Sequence, residues 1–362
     1  MELKAPLEQI KTALEVSRFT ALSGAPALAG VHVMVNGKAA QFTGYNGEQA
    51  ARTTTAVTAS GDGEAILPRP AVEYINALPS GSQLTIKFES DSVKISCGKL
   101  SATMRTDAAS NFPKVPFPTS NGVSLPASAL RKGLREVHNA AASASSSHQN
   151  LAGVLFEVVD GDLRLVTTDS YRLAVTSLGT SPLPAETRFT LPIKAVAELE
   201  RALAKSDTVK VTVSEINACF ETDSLKLSSH LIAAKFPAYG PIIPAPNAPS
   251  TITATSAEIL EAIKRLKIVA PRESRSVRVS CTDGVVSIST KSTSGDMAVE
   301  PLTATTSGTV PDFGVNVDYL ADAVAALGSD SVKVSIHDPM KAILMTRPGD
   351  EKTKQVMMPI RI

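Results

Sequence analysis

The chain has 362 residues, 36 Lys and Arg against 35 Asp and Glu, and is 43% hydrophobic but only 4% aromatic, with no Trp. At roughly 100–200 residues per domain this is material for two or three domains, with cores of Ala, Val, Leu and Ile. A formal net charge of +1 excludes a strongly basic coat for nucleic acid and an acidic disordered chain; taken alone, it argues against a DNA partner. The three cysteines, Cys97, Cys219 and Cys281, lie far apart without metal spacing. They suggest no disulfide framework and suit a reducing compartment. Charges at Glu2, Lys4 and Glu8 deny the N-terminus the apolar heart of a signal peptide. No run approaches the roughly 18–20 apolar residues of a membrane span. The expectation is a soluble, cytoplasmic chain that needs no cofactor and no membrane.

In chain order, the first predicted element is a helix over Pro6–Arg18. Val31–Val35 then alternates as a strand and meets Asn36-Gly37, a hairpin turn signal. A short amphipathic helix over Ala71–Leu78 leads into a strand over Leu84–Phe88, and the block closes on Phe112-Pro113. The same series follows twice more. After Pro126 come a helix over Ala127–Ala140, a strand over Leu155–Val159 with Asp160-Gly161, a helix over Ala195–Leu203, a strand over Val209–Val213 and Phe236-Pro237. After Ser256, read as an N-cap, come a helix over Ala257–Val269 and a strand over Val277–Cys281 before Asp283-Gly284. A helix over Tyr319–Leu327, a strand over Val332–Ile336 and Met358-Pro359 complete the third.

The hairpin signals recur at intervals of about 124 and 123 residues, and the helix–strand markers keep the same step. The expected fold is α+β: three repeated domains of helix–strands–helix–strands, at 1–120, 121–248 and 249–362. The Pro-rich stretches Pro113–Gly122 and Pro241–Pro249 read as stiff linkers. Three similar domains in a row leave a free interface at each end, which a second copy can satisfy head to tail.

Leu151–Val159 followed by Leu163–Val175, the segment Lys235-Phe-Pro-Ala-Tyr239 and the tail Val356–Ile362 resemble the bacterial DNA sliding-clamp family, the β subunit of DNA polymerase III. The resemblance covers the whole chain through the three-domain plan, most specifically in the middle block and the tail. It implies a homodimeric head-to-tail ring of clamp domains around double-stranded DNA, with helices inside and β-sheets outside. Such a ring is a non-catalytic processivity factor. Its implied partners are the replicative polymerase, the clamp loader and other proteins with a clamp-binding motif.

The resemblance also implies a partner-peptide groove. The matching positions in the middle block are Leu151, Thr168, Ser170, Tyr171, Arg172, Leu173, Pro237 and Ile242. Those in the third are Asn316, Tyr319, Met340, Val356, Met358, Pro359, Ile360 and Arg361. Met358, Ile360, Leu173 and Ile242 suit an aromatic or leucine anchor, and Met adapts to varied partners. Arg172 suits a peptide carbonyl or carboxylate. The blander alternative for Leu151, Leu173 and Ile242 is ordinary core. Gly240-Pro241 stands where the family commonly has a basic residue. The stretch 140–150 is shorter than the family's loop and lacks its arginine and tyrosines. A divergent bacterial member and a bacteriophage clamp both remain compatible with that drift.

For DNA, the resemblance points to bases on the inner helices: Lys11, Arg18, Arg131, Arg135, Lys194, Arg201 and Lys264. Charges on an amphipathic helix are ordinarily a solvated face, so this expectation rests on the group. The helix near 317–327, with Asp318 and Asp322 and no base, does not fit a uniformly basic lining. Two other readings compete. An enzyme is disfavoured because His32, His138, His148, His230 and His337 lie in separate segments, with no Gly-rich phosphate loop, and Asp169 reads as a turn residue. A structural or adhesive β-rich repeat protein suits the low aromatic content, but not the helix pairs or the apolar tail.

Overall fold

A computed structural model describes residues 1–21, 26–81, 83–115, 117–118 and 122–361. The first block runs β1 (Glu2–Pro6), α1 (Leu7–Ala13), α2 (Pro26–Ala29), β2 (Val31–Asn36), β3 (Ala39–Tyr45) and β4 (Gln49–Ala56). It continues with β5 (Thr58–Ser60), β6 (Gly63–Leu67), α3 (Arg69–Ala77), β7 (Gln83–Phe88), β8 (Ser92–Cys97) and β9 (Leu100–Arg105). The second runs β10 (Val123–Pro126), α4 (Ala127–Val137), β11 (Gly153–Val159), β12 (Asp162–Thr168) and β13 (Arg172–Thr180). Then follow β14 (Arg188–Pro192), α5 (Ile193–Leu203), β15 (Thr208–Val213), β16 (Asn217–Glu221) and β17 (Lys226–His230). The third runs β18 (Ser250–Thr255), α6 (Ser256–Val269), β19 (Ser276–Thr282), β20 (Val285–Lys291), β21 (Met297–Leu302) and β22 (Ala304–Ser307). It ends with β23 (Phe313–Asn316), α7 (Val317–Leu327), β24 (Ser331–Ile336), β25 (Ile343–Arg347) and β26 (Asp350–Met357).

Each block opens with a strand ahead of its first long helix, which the sequence reading does not include. That strand pairs antiparallel with the one after the second long helix: Leu3 opposite Ile86, Leu125 opposite Val209, Ile252 opposite Val334. The alternation is present in Glu2–Pro6 and Ser250–Thr255, but a helix begins at the next residue and masks so short a period.

Three local expectations change. The helix predicted over Pro6–Arg18 stops at Ala13 and tightens into a 3-10 segment, Leu14–Phe19. This segment lies on β3 at Gly44, where a Cβ would come within 2.0 Å of the Val16 carbonyl oxygen. Ser256 is not an N-cap: it is the first helical residue of α6, Thr255 occupies the cap position, and no side-chain cap bond forms. Asn36 ends β2, so the first hairpin turns on Gly37 (φ +59°) and Lys38, whereas Asp160-Gly161 and Asp283-Gly284 both have the positive φ pairs of type I′ turns.

The contacts divide the chain into two compact units, residues 1–128 with 201–231, and 129–200 with 232–362. The first holds a five-stranded sheet, β5-β1-β7-β8-β9, and an eight-stranded sheet, β10-β15-β16-β17-β4-β3-β2-β6. Leu3, Leu7, Ile10, Leu14, Ile75, Leu84 and Ile86 are fully buried there, each such side chain worth about 1.5–3 kcal/mol of burial. The second holds a nine-stranded sheet, β14-β11-β12-β13-β26-β25-β24-β18-β22, and a four-stranded sheet, β21-β20-β19-β23. Strands of the middle block thus enter a sheet with the first block (β17 on β4) and another with the third (β13 on β26). Residues 116 and 119–121 of the first Pro-rich stretch, and Ile362 of the tail, lie outside the described residues. The three cysteines are free, and burial pushes the Cys219 thiol up to about 11.

Inside the second unit, α4 is tied to the β25–β26 hairpin by a buried polar network. The Glu136 carboxylate, 5% exposed, pairs with the Arg347 guanidinium and accepts hydrogen bonds from the hydroxyls of Thr176 (2.7 Å) and Thr353 (3.2 Å). The Gln355 amide donates to the Glu136 backbone carbonyl at 2.6 Å, and Arg347 also donates to Asp350 at 2.8 Å and to the Leu327 carbonyl at 2.5 Å. At Gly133 of α4 a Cβ would lie 2.5 Å from a Leu178 methyl and 3.0 Å from one of Leu165, so a larger residue there requires these side chains to shift. Arg347→Ala leaves the buried Glu136 carboxylate with only the exposed Lys132 ammonium, 3.9 Å away, as counter-charge and should cost about 3 kcal/mol. The double variant Glu136→Leu/Arg347→Met should recover most of that loss. Urea unfolding of the three proteins measures both effects, and equal stabilities for wild type and Arg347→Ala would disprove the network's role.

Candidate functional site: an apolar groove beside the tail strand

The turn between β12 and β13 is built by its own side chains. The Asp169 carboxylate accepts from the backbone N–H groups of Tyr171 (2.9 Å) and Arg172 (3.0 Å). The Thr168 hydroxyl accepts from the Ser170 N–H (3.2 Å) and donates to the Arg172 carbonyl (2.7 Å). These bonds hold Ser170 at φ +80°, a left-handed conformation a non-glycine residue rarely adopts. Tyr171 consequently stands out, 64% exposed.

Next to the turn runs the tail. β26 pairs with β13, placing Leu173 opposite Val356, and with β25 on its other side. Beyond it the Met358 N–H donates to the Tyr171 carbonyl, and the Ile360 N–H to the Gly314 carbonyl, both at 2.9 Å. Backbone pairing thus holds this segment in place through Ile360.

Between them lies a cavity of about 650 Å³, lined by Thr168, Ser170–Leu173, Pro241–Ala245, His337, Lys341, Ala342, Val356 and Met358. Its rim is apolar and open: Ile242 is 44% and Met358 41% exposed. Its buried lining residues Leu173 and Val356 belong to a hydrophobic cluster that also includes Leu151, Leu155, Phe236 and Tyr239. The Tyr239 hydroxyl donates to the Glu157 carboxylate, which also pairs with Arg188, and burial together with that carboxylate pushes the phenol up to about 12.

The predicted groove residues thus separate. Thr168, Ser170, Tyr171, Arg172, Leu173, Ile242, Val356 and Met358 line the cavity, whereas Leu151 does not and packs in the buried cluster that Leu173 and Val356 share, as ordinary core. Asn316 caps α7, accepting from the N–H groups of Asp318 and Tyr319, and Tyr319 lies under the Arg172 guanidinium at 4.3 Å. Pro237, Met340, Pro359, Ile360 and Arg361 are not among the lining residues. Sequence reasoning missed Pro241, Ile243, Pro244 and Ala245 because their proline content read as linker. It missed His337, Lys341 and Ala342 because a short polar loop carries no pattern. The stretch 140–150 gives Ala142 to the same buried cluster, its N–H bonded to the Leu151 carbonyl at 3.0 Å.

The predicted DNA-facing bases have varied surroundings. Lys11 is half-buried and donates to the Leu78 carbonyl at the end of α3 (2.8 Å). Arg18 lies 3.6 Å from Glu15, and Lys264 pairs with Glu261. Arg131 and Arg135 stand one turn apart on α4, Arg135 being exposed and 3.9 Å from Glu200. Lys194 and Arg201 on α5 are exposed. The acids of α7 are engaged by bases from neighbouring elements: Asp318 by Arg275 (2.7 Å) and Lys267 (2.8 Å), Asp322 by Arg172 (2.6 Å). Among the described residues no group of three or more His, Cys, Asp or Glu is placed to hold a metal ion.

Residues 124–238 match the profile of the DNA polymerase III beta subunit, central domain, and residues 241–361 that of its C-terminal domain. The beta sliding clamp of Vibrio cholerae is 28% identical over 312 residues, 84% of this chain and 85% of that protein. That of Pseudomonas aeruginosa is 26% identical over 343 residues, 93% of each. The crystal structure of the DNA polymerase III subunit beta from P. aeruginosa superposes with a TM-score of 0.94 at 26% identity, covering 100% of both chains.

Hydrogen bonds from Arg275, reinforced by Lys267, hold the Asp318 carboxyl down at about 2. A depressed carboxylate stabilises the fold above its unfolded value near 3.8, and that contribution is lost as pH falls through about 2. Arg275→Ala should return Asp318 toward its ordinary range and move the acid-unfolding midpoint, followed by circular dichroism, to higher pH. An unshifted midpoint would contradict the assignment.

Proposed function

The chain belongs to the DNA polymerase III beta subunit family, the beta sliding clamps, and from that premise we propose that it encircles double-stranded DNA as a non-catalytic processivity factor in the cytoplasm. In this reading the three sequence blocks 1–120, 121–248 and 249–362 are three clamp domains. Two copies join head to tail, with the helices and their bases, Lys11, Arg18, Arg131, Arg135, Lys194, Arg201 and Lys264, toward the duplex. A closed ring cannot leave DNA sideways. Weak phosphate attraction that permits sliding is then enough, and no sequence-reading contact is needed.

The groove beside the tail is the proposed docking place for the replicative polymerase, the clamp loader and other proteins carrying a short apolar motif. The observation that carries this is the open cavity with exposed Tyr171, Ile242 and Met358 beside buried Leu173 and Val356. Exposed apolar side chains over a pre-formed pocket are what an anchor-residue peptide needs. Ile242→Ser with Met358→Ala should weaken a fluorescein-labelled peptide of a bacterial polymerase's C-terminal residues by at least about tenfold. Unchanged anisotropy titrations would remove the groove from this role.

Self-association has its own supporting features. β21 is an edge strand of its sheet with Met297 and Val299 exposed, and Ile268, the penultimate residue of α6, is 84% exposed. Uncovered edges and large apolar side chains invite pairing with another chain. Sedimentation equilibrium at micromolar concentration should give twice the mass of the chain, and Ile268→Asp should shift it toward monomer. The loaded protein should remain on nicked circular DNA and slip off once the circle is cut. A wild-type monomer, or retention on linear DNA with free ends, would sink the ring.

A further inference from the structure

The guanidinium of Arg172 is anchored through two of its five N–H donors. Its Nε donates to Asp169 at 3.0 Å, its Nη1 donates to Asp322 at 2.6 Å, and the group stacks 4.3 Å above the Tyr319 ring. Nε and one Nη1 position are thereby held within the protein, so the expected grip on a peptide carbonyl or carboxylate falls to the remaining guanidinium donors. We propose that Asp322, on α7, is a positioning residue of the groove: it holds Arg172 against Tyr319 and so keeps the 169–171 turn in the shape a docking peptide meets. The inference rests on reading the groove as a peptide site.

The connection is continuous. Asp322 holds one edge of the guanidinium. The guanidinium bonds one carboxylate oxygen of Asp169, and the other oxygen accepts the N–H groups of Tyr171 and Arg172. Those bonds fix Ser170 at φ +80° and present Tyr171 at the rim. An L-residue in the left-handed region needs such restraint, since the conformation is intrinsically unfavourable. Asp322 itself is 43% exposed, and an exposed ion pair alone is worth little. Arg172 is only 15% exposed, however, and it is gripped from two sides and stacked, a geometry in which charge-assisted bonds are stronger. The consequence is preorganisation: binding is weakened when the peptide must order the turn itself.

The test uses the full chain and the labelled polymerase peptide, with anisotropy as the readout. Asp322→Ala should weaken binding about fivefold, with Asp322→Asn intermediate because its carbonyl still accepts. In an Arg172→Ala background, Asp322→Ala should add nothing, since it acts through Arg172. The Arg172 Nε–H resonance should be protected from exchange in wild type and lost in Asp322→Ala while the Arg347 Nε–H, bonded to the Leu327 carbonyl, stays protected; a general loss of stability would expose both. If Asp322→Ala binds normally while Met358→Ala does not, the positioning role is overturned and the groove stands. A full additional loss in the Arg172→Ala background overturns it equally. If neither Asp322→Ala nor Met358→Ala changes binding, the groove reading falls and takes this inference with it.

Discussion

The groove depends on one constraint: the last strand must lie between two blocks of the chain. β26 hydrogen-bonds to β13 of the middle block on one edge and to β25 of the third on the other. That seam places Met358 and Val356 from the tail beside Leu173 and Tyr171 from its neighbour. Backbone pairing alone leaves a strand able to slip in register. The buried Glu136–Arg347–Thr176–Thr353 network removes that freedom, because any slip would strand a charge away from water.

Polar groups buried for register make poor sequence signals. Thr353 and Gln355 are inward residues of β26 and both are polar, so an alternation test assigns them to solvent. Glu136 reads as one acid among bases on an amphipathic helix, although it is the most buried charge on α4. The repeat itself is a different case. Asp160-Gly161 and Asp283-Gly284 turn the chain for local steric reasons, and local reasons are written in adjacent residues. So are the alternating strands and the amphipathic helices, whose boundaries lie within a few residues of those expected except in the first helix, which gives way to a 3-10 segment after Ala13. Strands β1, β10 and β18 escape because four to six residues cannot establish a period when a helix follows at once.

The candidate site divides in the same way. Residues contributed by one continuous stretch, 168–173, and by the tail are legible through their resemblance to a family pattern. Residues that reach the groove only because the chain returns there, such as His337 and Lys341, are not. The stretch 241–245 illustrates the ambiguity of proline. Restricting backbone freedom serves a linker, but it serves a rigid groove wall equally well, and only the apolar pair Ile242-Ile243 distinguishes the two.

Near-neutral charge acquires its meaning from this arrangement. Many bases here are matched by acids close by: Lys264 by Glu261, Arg275 and Lys267 by Asp318, Arg172 by Asp322, Arg347 by Glu136. A protein that held DNA by affinity would need those bases free, since each neutralised phosphate adds to binding and to its salt dependence. A ring that holds DNA by enclosure gains nothing from tight contacts and loses mobility by making them. Its charges are then available to fix turns, cap helices and set strand register. An excess of only one positive charge is therefore what a topological tether permits, and it is consistent with bases spent on internal ion pairs.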